Sequence, residues 1–165
     1  MNAANSAPTR FIGMDIHKHY FAAVGVDVDQ NVVFGPHQGT IQSLETWAEK
    51  NLTHQDAVVI EMTTNTYAVH DALKPFVGSV TVVHPPYVAL IVRAQVKTDR
   101  KAALTLAQLH AAGLLPGIWV PPVEVRELRV LVAQRNKMVR LSSIAKCRLH
   151  SLLHRKRVQA ALGDR

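Results

Sequence analysis

One cysteine, Cys147, serves the whole 165-residue chain. An internal disulfide is therefore excluded, and a reducing cytoplasm is the compartment this usage fits. No apolar run approaches the roughly 18 residues that a membrane-spanning helix needs. The opening MNAANSAPTR has no basic start leading into an apolar core, so residues 1–9 read as a flexible lead-in rather than a secretory signal. A P-loop signature and a glycine-rich dinucleotide fingerprint are both missing. The first expected hairpin is HKHYFA, without the glycines needed for close approach to a nucleotide phosphate. That counts against the ATPases whose first strand also carries an early acid. Proline disappears after Pro121-Pro122, and glycine does not recur between Gly117 and Gly163.

Acidic residues are scarce in the second part of the chain. Residues 1–96 hold five Lys/Arg against eight Asp/Glu, whereas residues 97–165 hold fourteen against four, within a net charge of +7. A mildly acidic body joined to a strongly basic segment points to a polyanion, nucleic acid before membrane, because phosphate neutralisation needs clustered cations. A solvated basic helix is the plainer reading. At 48% hydrophobic and 19% charged, the chain has the composition of a globular protein.

RFIGMDIH (10–17) alternates like a half-buried strand, FAAVGVDV (21–28) follows it, and the turn at Asp29-Gln30-Asn31 leads into VVFG. SLETWAEKNL (43–52) reads as a short helix capped by Ser43. AVVIEM (57–62) reads as a strand buried on both faces, NTYAVHDALKPF (65–76) as a helix until Pro75, and SVTVVH (79–84) as another buried strand. Residues 87–94 read as a short helix, and 99–113 as a longer one ending at Gly113. A strand meander followed by strand–helix units predicts an α/β domain with a mixed sheet over residues 10–116. Residues 122–165 read as a helical arm. There, Leu128, Leu131, Met138, Ala145, Leu149 and Leu152 fill six of eight positions in a 3-4 spacing broken by Arg135 and Ser142. Such a stripe needs a partner, as in a coiled coil, and its lack of a packed second half suggests a fragment of a longer protein.

Three acids stand where chemistry is expected. Asp15 lies inside the first strand, Glu61 ends the apolar AVVIE strand, and Asp99 opens a helix after Lys97-Thr98. Acids on neighbouring strands repel, a divalent cation relieves that repulsion, and oxygen donors of this kind suit Mg²⁺. Each also has a plainer role: strand-end residue, solvated edge acid, helix N-cap. His17 and His19 follow Asp15 at strand spacing and could form a transition-metal site, although polar residues at a strand exit are the preferred reading. His150 and His154 lie one helical turn apart without an acidic partner, and Cys147 reads as a small helix residue.

The segments GMDIHKHYFAAVGVD, VVIEMTTNTYAVHDAL, VVHPPYVALIVRAQVKTDRKAA and ELRVLVAQRNKMVRLSSIAKCRLHSLL together resemble, in this order, the N-terminal part of DEDD-type insertion-sequence transposases. These are the Piv/MooV-related enzymes of insertion-sequence family one-ten, and the resemblance spans residues 11–153. It implies a RuvC-like, ribonuclease-H-type domain with a mixed five-stranded sheet and flanking helices, followed by a long basic coiled-coil helix. It implies a cytoplasmic bacterial DNA recombinase, acting at the nucleoid, often guided by a bridge RNA. Asp15, Glu61 and Asp99 would be the first three acids holding Mg²⁺. The fourth usually stands in KTDxxDA; here the stretch is KTDRKAA, so Ala102 occupies its place. Alanine keeps the helix but removes the ligand, which either deliberate inactivation or divergence would leave. The family's serine-bearing C-terminal domain would lie beyond this chain, so Ser142 and Ser143, mid-helix without a base, are not nominated as nucleophiles.

The basic helix would bind nucleic-acid backbone and pair with another protomer, as a homodimer or higher homo-oligomer. Arg135, Lys137, Arg140, Lys146 and Arg148 are candidate phosphate contacts, with Lys97, Arg100 and Lys101 beside the acids. A non-catalytic nucleic-acid-binding and dimerising module, or a stand-alone structure-specific nuclease, are the alternative functions. Replacing any one of these cations by alanine should weaken DNA binding and reduce its salt slope by about one, leaving sequence choice unchanged. Binding titrations across salt concentrations check this, and salt-independent binding would contradict it.

Overall fold

The computed structural model describes residues 7–86, 88 and 98–156. Lys97, most of the 87–94 stretch expected to be helical and most of the 1–9 lead-in lie outside them. Five strands form one sheet: β1 Arg10–Ile16, β2 Tyr20–Val26, β3 Val32–Thr40, β4 Asp56–Glu61 and β5 Ser79–Val83. Their order is β3-β2-β1-β4-β5. β2 runs antiparallel to β1 and β3, while β4 is parallel to β1 and β5. This is the mixed five-stranded α/β sheet that the strand pattern and the resemblance predict. The helices are α1 Leu44–Asn51, α2 Thr66–Leu73, α3 Asp99–Ala111 and α4 Val123–Arg155.

The structure departs from several expectations. β1 is the middle strand and is buried on both faces rather than half-buried, so its alternation reflects two different layers. β3 runs well past VVFG to Thr40, through Gly35 in the left-handed region and Pro36. Proline is tolerated there because β3 is an edge strand, largely exposed and irregular in its register with β2. Ser43 stands at the N-cap of α1 without a capping bond; its hydroxyl donates to the Thr40 carbonyl at 3.0 Å. β5, expected to be buried, is the opposite edge, and only Val82 and Val83 in it are buried.

The sheet separates two apolar layers. Ile12, Met14, Ile16, Val58 and Ile60 join Leu44, Ala48, Val69 and Leu73 of α1 and α2 on one side. Val59 and Val83 meet Leu106 of α3 in the other cluster. Burying these side chains is the main drive for the fold, at about 1.5–3 kcal/mol for each of the larger ones. β1 and β4 are pinned at their starts by one ion pair. Asp56, whose side chain is fully buried, accepts from Arg10 Nε at 2.7 Å, from Arg10 Nη2 at 2.6 Å and from the Thr53 amide at 2.7 Å. Hydrogen bonding to Asp56 raises the Arg10 pKa further above its ordinary value.

Backbone contacts divide the chain into two units, one through Val120 and one from Pro121. The second is dominated by α4, 33 residues long and without a buried residue. Its stripe is exposed, Leu131 to 67% and Leu128 to 61%. No helix among the described residues is long and apolar enough to cross a membrane.

Asp56→Ala should cost about 3 kcal/mol, the lower end for breaking a buried pair, because Arg10 is partly exposed and can turn to water. Denaturant unfolding measures this. A loss below about 1 kcal/mol would mean that the pair behaves like a surface ion pair.

Candidate metal centre

β1 leaves the sheet through a tight hairpin. The His17 amide donates to the Tyr20 carbonyl at 2.9 Å, so Lys18 and His19 form the turn. Residues flanking such a turn stand opposite one another, and the two rings stack, with centroids 4.4 Å apart and planes 17° from parallel. His17 is two residues beyond Asp15, so the strand period directs both to the same side of the sheet.

α3 brings the second acid to that side. At Gly13, two residues before Asp15, an added Cβ would lie 2.0 Å from the Ala103 carbonyl oxygen and 2.5 Å from the Ala107 amide nitrogen. Helix and strand thus meet almost backbone to backbone, through a glycine on one side and buried alanines on the other. One turn earlier on the helix is Asp99. Asp99 is not the N-cap; Thr98 is, its hydroxyl accepting from the Lys101 amide at 3.3 Å. The Asp99 carboxylate is therefore left to face the strand, in a first turn where the helix dipole favours negative charge.

Asp15, His17 and Asp99 consequently converge, each offering a ligand atom within 4.8 Å of the others. His17 Nε2 lies 3.4 Å from Asp15 Oδ2 and 3.4 Å from Asp99 Oδ1. It is closed to solvent and makes no hydrogen bond, although both carboxylates lie within ion-pair distance. The Tyr20 hydroxyl donates to Asp99 Oδ2 at 3.1 Å, and this bond raises the Tyr20 pKa above its ordinary value. Asn65, at the start of α2, donates to the His17 carbonyl at 3.3 Å and ties the hairpin to the loop after β4. Two carboxylates and an orphaned imidazole nitrogen fit a divalent cation: the oxygens supply charge and the nitrogen a lone pair.

The other expected residues are placed differently. Glu61 ends β4 one residue after Ile60, which is registered with Met14, so it occupies the step of the sheet next to Asp15. It nonetheless stands outside the group of three. Ala102 is half-buried on α3, three residues from Asp99, and brings no donor. Arg100 and Lys101 are exposed in the first turn of α3. On α4, Arg135, Lys137, Arg140, Lys146 and Arg148 are all exposed, but they do not share one face. At about 100° per residue, Lys137, Arg140 and Arg148 fall within a sector of about 80°, while Arg135 and Lys146 point roughly the opposite way. The Ser143 hydroxyl donates to the Val139 carbonyl at 3.1 Å, a helix back-bond. Cys147 is exposed.

A family model for DEDD transposases of the IS110 type matches residues 12–157. The chain belongs to that family. No curated protein matches this transposase-family chain. Among solved structures, RuvC from T. thermophilus in complex with a Holliday junction substrate is similar to it at 13% identity and a TM-score of 0.42, over 67% of this chain and 99% of that one.

Asp15 and Asp99, nominated from the sequence together with Glu61, lie close to one another, whereas the sequence reading gave His17 a secondary place and Tyr20 none. The signal for both was the hairpin itself: residues flanking a two-residue turn at the exit of an acid-bearing strand are forced side by side. Gly13→Ala should cost about 1–3 kcal/mol by pushing α3 off the strand, and should loosen the Asp15–Asp99 approach with it. Thermal unfolding together with divalent-cation titration checks this. A variant of unchanged stability would contradict the close packing described here.

Proposed function

We propose that this chain is the RuvC-like catalytic-type domain of a DNA transposase, built to act on phosphodiesters at a divalent-metal centre. The observation that carries the reading is the convergence of Asp15 and Asp99, from β1 and the start of α3, with His17 between them. Family membership supports DNA as the substrate. Glu61, at the adjacent step of the sheet, is the third acid of the set, and Mg²⁺ is the ion that the resemblance implies. A bound divalent cation would polarise a phosphate oxygen and stabilise developing negative charge. The chain's own residues orient the reacting groups: Asp15 and Asp99 hold the charge, Tyr20 fixes one Asp99 oxygen, and Arg100 and Lys101 neutralise neighbouring phosphates.

The fourth acid is missing at Ala102, and in this reading the chain as it stands is inactive in recombination. α4 adds backbone cations and, through its apolar stripe, pairing with a second protomer; a guide RNA shares the basic surface. The competing reading is a non-catalytic nucleic-acid-binding module. It is favoured by the one missing ligand and by nothing else in the site.

Asp99→Asn should weaken Mg²⁺ binding by tenfold or more, whereas Ala102→Asp should tighten it by about tenfold, since affinity follows ligand charge. Calorimetric titration and metal-dependent nicking of supercoiled DNA read the two effects. If Ala102→Asp changes neither binding nor nicking, the missing acid is not what limits this chain. If Asp99→Asn leaves Mg²⁺ binding intact, the binding module is the better account.

A further inference from the structure

We propose that His17 is a nitrogen ligand of this centre, and that it turns the site toward first-row transition dications, Mn²⁺ among them, in preference to Mg²⁺. The proposal rests on the metal reading of the same site and adds the residue that sets metal choice.

A merely polar histidine at a strand exit would face water or make a hydrogen bond. His17 Nε2 does neither: the atom is shut off from solvent and makes no hydrogen bond, and it stands 3.4 Å from a carboxylate oxygen of Asp15 and of Asp99, at ion-pair distance from both. An atom so placed has its remaining valence directed at whatever the two carboxylates hold. Donors about 2.1 Å from an ion and at right angles to one another are about 3.0 Å apart. The spacings here are that arrangement opened by a few tenths of an ångström.

The ring is also held in place. It stacks on Tyr20 at 4.4 Å, and the Tyr20 hydroxyl takes Asp99 Oδ2 at 3.1 Å, leaving Oδ1 as the oxygen turned toward His17. Tyr20 is thus a positioning residue for two ligands at once. Across the helix, Ala102 offers no competing oxygen. The set is then two carboxylates and one imidazole rather than an all-oxygen cage. Imidazole favours transition ions, while Mg²⁺ demands oxygen and gives up its water reluctantly.

The test uses the full chain loaded with Mn²⁺ and pulsed electron paramagnetic resonance, which detects nitrogen bonded to the ion. The expected result is ¹⁴N modulation in the starting protein that is lost in His17→Phe, a change that keeps a ring against Tyr20. The ratio of Mn²⁺ to Mg²⁺ affinity should fall by about tenfold in that variant. Tyr20→Phe should keep the modulation and weaken Mn²⁺ binding by about tenfold, as loss of a ligand-orienting bond does. Circular dichroism of the metal-free variants checks folding, and His17→Gln replaces His17→Phe if the latter fails to fold. Mn²⁺ bound without ¹⁴N modulation, or modulation that survives loss of His17, overturns this proposal and leaves the metal centre standing. No Mn²⁺ binding at all overturns both.

Discussion

Gly13 sets the distance between β1 and α3, because the helix rests on the strand where a side chain would otherwise stand. With a Cβ there, the Ala103 carbonyl and the Ala107 amide would have to move, and the start of the helix would move with them. The close approach fixes where Asp99 can reach, and strand alternation from Gly13 fixes where Asp15 points. The site is therefore a consequence of packing before it is a matter of charge. Two carboxylates are brought together by the packing of Ala103, Leu106 and Ala107 on the sheet, further along the same face of the helix, and their repulsion is a cost the fold carries unless a cation relieves it. The Arg10–Asp56 pair does the complementary work at the other end of the strands. It holds β1 and β4 in the register that puts Asp15 and Glu61 at neighbouring steps.

The parts of this architecture set by burial could be read from the residues alone. AVVIE had to be an interior strand, and the run after Asp99 had to be a helix, because neither pattern can be satisfied otherwise. Asp15 stood out because an acid between Met14 and Ile16 needs a reason. Features set by local geometry were harder to read. Pro36 disguised the length of β3, since only the edge position of that strand makes the proline harmless. Thr98 and Asp99 are both good caps, and only the observed bond to Lys101 decides between them. His17 looked like a polar strand exit because its value comes from Tyr20 across the turn and from Asp99, 82 residues on, neither of which is visible in its own neighbourhood.

The basic charge lies largely on a long helix that forms a unit of its own. Along it the cations divide between opposite faces, and Arg135 falls on the apolar stripe itself. A single straight contact with one phosphate backbone cannot use all of them. Lys137, Arg140 and Arg148 lie on a different face of the helix from the leucine stripe. None of the residues of that helix is buried.

What unites these observations is the claim that Asp15, His17 and Asp99 exist to hold an ion. Anomalous diffraction from crystals of the chain soaked in Mn²⁺ tests it most directly, because the peak locates the metal without reference to activity. The account predicts one strong peak within bonding distance of Asp15, Asp99 and His17 Nε2. Strong peaks elsewhere on the chain, with none between these three residues, would contradict it.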